Sequence, residues 1–148
     1  MPPSSKSSTS SLLDPTLTFA QLAETVGLDN RLVKAIRRLG HIRPTLVQAQ
    51  CLPLAIRDGR DLLVRARTGS GKTLAYSLPL LQKIMANTSK TKGDVVQGIV
   101  LVPTKELCSQ IANVLTQLSY YATDDISIAV LSGTSKDDRA RQDAMLRD

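Results

Sequence analysis

The sequence has no tryptophan, one phenylalanine and three tyrosines in 148 residues. So few aromatics argue against a base-stacking platform of the kind single-strand binders build, and direct any nucleic-acid contact to the phosphate backbone. Cysteine is almost as scarce. Cys51 and Cys108 stand far apart without metal-ligand spacing, which excludes a disulfide scaffold and leaves two reduced thiols with no disulfide partner as the expectation. No run of about 18 apolar residues occurs, so no membrane span is expected. The opening M-P-P-S-S-K-S-S-T-S-S has no apolar signal core, which makes an intracellular chain the expectation.

What is present supports one globular domain, with 42% hydrophobic residues to supply a core. The net charge is +6 and the pI about 9.6, and the distribution is uneven. Residues 31–72 carry ten basic and two acidic side chains, whereas residues 124–148 carry six acidic and four basic ones. Either the basic half meets phosphate groups or its Arg and Lys solvate helix faces; composition leaves both open.

The basic half also contains A-R-T-G-S-G-K-T, residues 66–73, directly after the apolar run 61–65. A buried strand, a glycine turn and a helix opening at Lys72 would aim backbone N–H groups at one point, where the helix dipole is positive. That arrangement makes a phosphate site. Gly69 and Gly71 let the backbone approach a polyphosphate, Lys72 can reach the outer phosphates, and the Thr73 hydroxyl can ligate Mg²⁺. Ala66 stands where the strict pattern has glycine, and a plain glycine turn between strand and helix is the competing reading.

In chain order, residues 1–15 are rich in Ser, Thr and Pro and read as a disordered lead. Residues 16–60 form a helical region. Phe19 opens a short amphipathic stretch before Gly27 and reads as a core anchor. Asp29 or Asn30 can cap a helix with a stripe of Leu32, Val33, Ile36 and Leu39, stopped by Gly40. Pro44 blocks continuation, and Thr45 can cap a helix running toward Cys51 before Pro53 and Gly59 interrupt. Gln48, on that helix, reads on its own as a surface carboxamide. Strands are expected at 61–66, 99–102 and 126–131. Helices are expected from Lys72 through Ile84, bent at Pro79, from Thr104 through Leu118, and over 136–147. Such alternation implies an α/β fold, a parallel sheet with flanking helices and ligands outside the carboxyl ends of its strands.

G-H-I-R-P-T-L-V-Q, A-R-T-G-S-G-K-T and P-T-K-E-L occur in that order and resemble the Q motif, motif I and motif Ia of DEAD-box RNA helicases. Ser132-Gly133 stands where the family usually shows a Gly-Gly turn. The resemblance implies a RecA-like P-loop domain, partial here and covering 61–148 after a Q-motif region at 16–60. It implies ATP and Mg²⁺ as cofactors and RNA as partner, bound through its backbone. It further implies nucleotide contacts from Phe19, His41, Arg43 and Gln48, and from Arg67, Thr68, Gly69, Ser70, Gly71, Lys72 and Thr73. Lys72 and Thr73 would serve catalysis, Thr73 as metal ligand. Pro103, Thr104, Lys105, Glu106 and Gly133 would meet RNA. The core-anchor reading of Phe19 and the surface reading of Gln48 are thereby reversed in favour of adenine recognition. The residues around motifs I and Ia, L-L-V-R-A-R and V-P-T-K-E-L, resemble most the nucleolar branch acting in large-ribosomal-subunit assembly, so pre-ribosomal proteins are the partners it suggests.

The chain departs from the family at three points. His41 replaces the usual Phe or Tyr, offering a smaller ring that can take a proton, and Lys105 replaces Arg, exchanging a planar fork for a point charge. The sequence stops at Asp148 ahead of any D-E-A-D stretch, so the fold is expected to be truncated before that motif. Weak ATP turnover, an unpaired strand edge and self-association are the expected results. A nucleotide- or protein-binding fragment without turnover, or a different P-loop kinase or GTPase, are the alternative functions. The long stretch ahead of the P-loop and the Q motif disfavour the last.

Overall fold

The computed structural model describes residues 12–87 and 95–132. Five α-helices carry the fold: α1 Phe19–Val26, α2 Asn30–Arg38, α3 Leu46–Leu52, α4 Lys72–Asn87 and α5 Lys105–Leu118. Local chemistry sets most of their ends. Thr18 and Thr45 each accept a hydrogen bond from the backbone N–H three residues on, while Gln21 and Gln48 reach back to the cap backbone, closing two capping boxes. Asp29 caps α2 and Thr104 caps α5. Gly27, with φ 69°, accepts the left-handed turn that stops α1.

Two prolines stand on the helices. Pro53 ends α3, as expected, and opens a π-helical turn, Pro53–Arg57, whose wide ring closes with Asp58 N–H donating to Pro53 O at 3.1 Å. Proline has no N–H to lose at that position. Pro79 lies inside α4, which runs as one helix from Lys72 to Asn87.

The core lies among the helices. Phe19, Leu22 and Val26 of α1, Leu32 and Ile36 of α2, Leu52 of α3, Leu78 and Leu81 of α4, and Leu115 and Leu118 of α5 form one buried cluster. Gln82 Oε1 accepts from Asp29 N–H at 2.7 Å, fixing the start of α2 against α4. Arg31 then pairs with Asp29 at 3.1 Å and with Asp125, fastening α2 to the segment after α5. This pairing holds the Asp29 carboxyl below its ordinary range, with the Arg31 hydrogen bond as the main cause, and raises the Arg31 guanidinium further.

The expected strands are the main correction. Among the described residues the only β pairing is an isolated antiparallel bridge between Leu13 and Thr45; residues 61–66, 99–102 and 126–131 join no ladder. In the last two segments the side chains nevertheless keep a strand's alternation. Val100, Ile126 and Ile128 pack on the helical core, while Ile99, Leu101 and Leu131 are exposed. Hydrophobic periodicity decides which side chains turn toward the helices, but a ladder also needs a neighbouring backbone about 4.8 Å away. Residues 12–15, expected in the disordered lead, are held in place: Asp14 N–H donates to Pro44 O at 2.9 Å and Leu46 N–H to Leu12 O at 3.0 Å. The helix expected over 136–147 lies outside the described residues.

Candidate nucleotide-binding site

The glycine turn between residues 66 and 72 feeds directly into α4. Gly69 and Gly71 have φ of 80° and 85°, a region from which L side chains are largely barred. Gly71 is constrained twice. A Cβ there would stand 2.4 Å from Gln48 Nε2 and 2.9 Å from Thr45 Cγ2, so the turn and the start of α3 touch only because the side chain is missing. Across this contact Gln48 Nε2 donates to Gly71 O at 3.0 Å, while its Oε1 accepts from Thr45 N–H at 2.9 Å. One carboxamide thus caps α3 and secures the turn.

Lys72 folds back into the turn. Its Nζ donates to Ala66 O at 2.7 Å and Arg67 O at 2.6 Å, so the ammonium is already surrounded by loop backbone. Ser70 is buried, and its Oγ has no hydrogen-bond partner. An orphaned hydroxyl in a dry turn costs about 1–3 kcal/mol. An anion seated in the turn would relieve that cost. Thr73 is half-buried on the first turn of α4. Ser70 Oγ, the cradle that a Cβ at Gly71 would fill, and the nearby ammonium all fit a polyphosphate. For a divalent metal the fit is narrower: among the described residues no group of three or more His, Cys, Asp or Glu could hold one.

The four residues expected around the base are placed in four different ways. Gln48 is buried, yet it uses one of two amide hydrogens and one of two oxygen lone pairs, which leaves a donor and an acceptor for a purine edge. Phe19 is 5% exposed and belongs to the core, as its apolar neighbours dictate. The exposed ring is His41, 6.5 Å from Phe19 and tilted 49° to it. Arg43 is occupied elsewhere, donating to the carbonyls of Asp14 and Pro15. Asp14 in turn accepts from Thr16 Oγ at 2.7 Å and Thr16 N–H at 2.8 Å, and those bonds lower its carboxyl's pKa.

Pro103, Thr104, Lys105 and Glu106 are exposed at the start of another helix, α5, where Thr104 Oγ accepts from Leu107 N–H at 3.2 Å. Arg67, Thr68 and Gly69 are exposed on the glycine turn. Gly133 lies outside the described residues. Thr45 was not singled out for the site, although the T-x-x-Q spacing of a capping box announces it. Its place beside Gly71 carries no signal in the local sequence.

A glycine turn opening a helix, with a lysine folded into the turn, is the architecture of P-loop proteins. Residues 45–147 match the DEAD/DEAH box helicase model, and the chain belongs to that family. It is 42% identical over 139 residues to "Probable ATP-dependent RNA helicase ddx56" of Dictyostelium discoideum, covering 94% of this chain and 19% of the relative. It is 44% identical over 112 residues to "ATP-dependent RNA helicase DBP9" of Candida glabrata, covering 74% of this chain and 19% of the relative. The chain therefore spans about a fifth of the length of these relatives. Among solved structures it resembles a DEAD box protein from Methanococcus jannaschii, with a TM-score of 0.70 and 29% identity over 88% of this chain and 32% of that one. It also resembles Prp28 from Chaetomium thermophilum bound to ADP, with a TM-score of 0.61 and 33% identity over 78% of this chain and 28% of that one. The fold is thus that of RecA-like DEAD-box domains, although the parallel sheet is not formed among the described residues.

Proposed function

We propose that these residues are the ATP-binding part of an RNA helicase whose RNA-dependent ATP hydrolysis is coupled to duplex unwinding. The carrying observation is the Gln48–Gly71 hydrogen bond, which unites the base-reading carboxamide with the phosphate turn. Gln48 offers its remaining donor and acceptor to N7 and N6 of adenine; guanine, with O6 in place of the amino donor, cannot satisfy the pair. The turn's N–H groups and Lys72 hold the phosphates once the ammonium leaves the Ala66 and Arg67 carbonyls, and Thr73 holds Mg²⁺. His41, with Phe19 behind it, offers the ring against the base. Bound ATP supplies the phosphoryl group whose transfer to water drives the cycle. Pro103, Thr104, Lys105, Glu106 and Gly133 meet the RNA backbone. The relatives' names support an ATP-dependent RNA helicase; the residues flanking both motifs, by their resemblance to the nucleolar branch, support work in large-ribosomal-subunit assembly, with pre-ribosomal proteins as partners and a nucleolar location.

Calorimetry with ADP and GDP tests this reading. ADP should bind more tightly by about tenfold, one satisfied pair being worth about 1–3 kcal/mol, and Gln48→Ala should erase the preference. Equal affinities in the unsubstituted protein would refute adenine reading. A second reading is nucleotide binding without turnover by these residues. Phosphate release measured with and without RNA separates the two.

A further inference from the structure

Half of the chain's four aromatic residues stand side by side on its surface. Tyr120 and Tyr121, just after α5, meet edge to face with centroids 5.0 Å apart, and they are 54% and 42% exposed. The guanidinium of Arg38, from the last turn of α2, lies over the Tyr120 ring at 3.9 Å, well inside cation–π range. Along α2, Arg31, Lys34 and Arg38 succeed one another by three and four residues and so share a stripe, with Arg37 beside it. Arg31 is neutralised by Asp29 and Asp125. Among the described residues, Lys34 and Arg37 are exposed with no ion-pair partner, and Arg38 has only the ring. Two adjacent cations, Arg37 and Arg38, with Lys34 about one turn before them, roughly 5.4 Å along the helix, therefore lie on the helix whose Arg38 meets the exposed tyrosine pair.

We propose that Lys34, Arg37, Arg38, Tyr120 and Tyr121 form a second, sequence-tolerant surface for single-stranded RNA. It lies away from the start of α5: the 14 residues of that helix put about 21 Å between its ends. The proposal rests on the helicase reading only in taking RNA as the polyanion. Backbone-tracking cations interleaved with faces on which bases stack are the two parts of a single-strand site, and a guanidinium over a ring extends the stack. An acidic peptide would satisfy the cations and leave the rings unused. The low aromatic content that argues against a stacking platform is thus offset by position, since two of the few rings are adjacent and exposed.

Anisotropy of a labelled oligouridine, titrated with the 148-residue chain at several salt concentrations, tests the surface. Tyr120→Ala with Tyr121→Ala should weaken binding about tenfold. Lys34→Ala with Arg37→Ala should lower the salt slope by about 0.7 per cation removed. Circular dichroism of these exposed-site variants should be unchanged, and 4-thiouridine crosslinks should map to the peptide carrying Tyr120 and Tyr121. Unchanged RNA affinity in both double variants would overturn the proposal, as would the absence of RNA binding or capture of polyglutamate alone through these residues. If adenine-selective ADP binding persists in that event, the helicase reading stands without this surface.

Discussion

Leucines 78 and 101 have the same side chain and opposite surroundings. Leu78, on α4, is fully buried where α1, α2, α4 and α5 converge; Leu101, on the segment between α4 and α5, is 90% exposed. The helical region gathers its apolar stripes into one buried cluster. The extended segments present Leu63, Ile99, Leu101 and Leu131 to solvent and pair no backbone into a ladder. The phosphate turn lies where the two regimes meet, with one end running into α4 and the other into residues 61–66. Its order comes from the helical side, through Gln48 and Gly71.

The largest effect that sharpens this comparison is one substitution made in both places. Leu78→Ala should cost about 2–5 kcal/mol, because it empties a closed site, whereas Leu101→Ala should stay within about 0.5 kcal/mol. Urea denaturation of the two variants measures the gap, and equal losses would mean that the extended segment is as well packed as the core.

Next comes Lys72→Ala. The lysine bonds only loop carbonyls and has no place in the core, so ADP binding should weaken by about 1.5–3 kcal/mol with little change in melting temperature. Calorimetry paired with thermal denaturation checks both halves, and a melting temperature that falls as far as Leu78→Ala would assign the residue to the fold.

The exposed apolar segments should also associate. Sedimentation of the 148-residue chain should show self-association that Leu63→Glu with Leu101→Glu reduces, since charge on such a face opposes pairing. A monomer at all concentrations would remove the contrast between the regions.

The smallest effect tests the fastening of α2. The Asp29 carboxyl is lowered by Arg31, so its contribution is complete above the unfolded value, near 3.8, and disappears as pH falls through the lower folded value. The pair is partly exposed to solvent, which limits the contribution to about 1 kcal/mol. Asp29→Asn keeps a capping oxygen but not the charge. Its urea midpoint should lie slightly below the parent's at neutral pH and converge with it in strong acid.

The site was legible where its chemistry is local. G-S-G-K-T announces the turn, T-L-V-Q the cap, and both glycines hold the positive φ their positions demand. Less legible were the occupations of Phe19 and Arg43. Phe19 reads equally as anchor or base contact until its burial is seen, and Arg43 is drawn to the carbonyls of Asp14 and Pro15, almost thirty residues upstream.

The sequence by itself determined the helices and their caps, the apolar stripes and the strand-like alternation. These depend on interactions within three or four residues, or on the side-chain period of one segment. Tertiary structure alone decided that Gln48 closes over Gly71 across 23 positions, that Arg31 reaches Asp125, and that two tyrosines and an arginine share a surface. It also decided that two strand-like segments, 99–102 and 126–131, acquire a covered face without a ladder. The reason is physical: burial asks only that a side chain turn toward the core, whereas a backbone hydrogen bond or a side-chain bridge requires a particular partner at a particular distance.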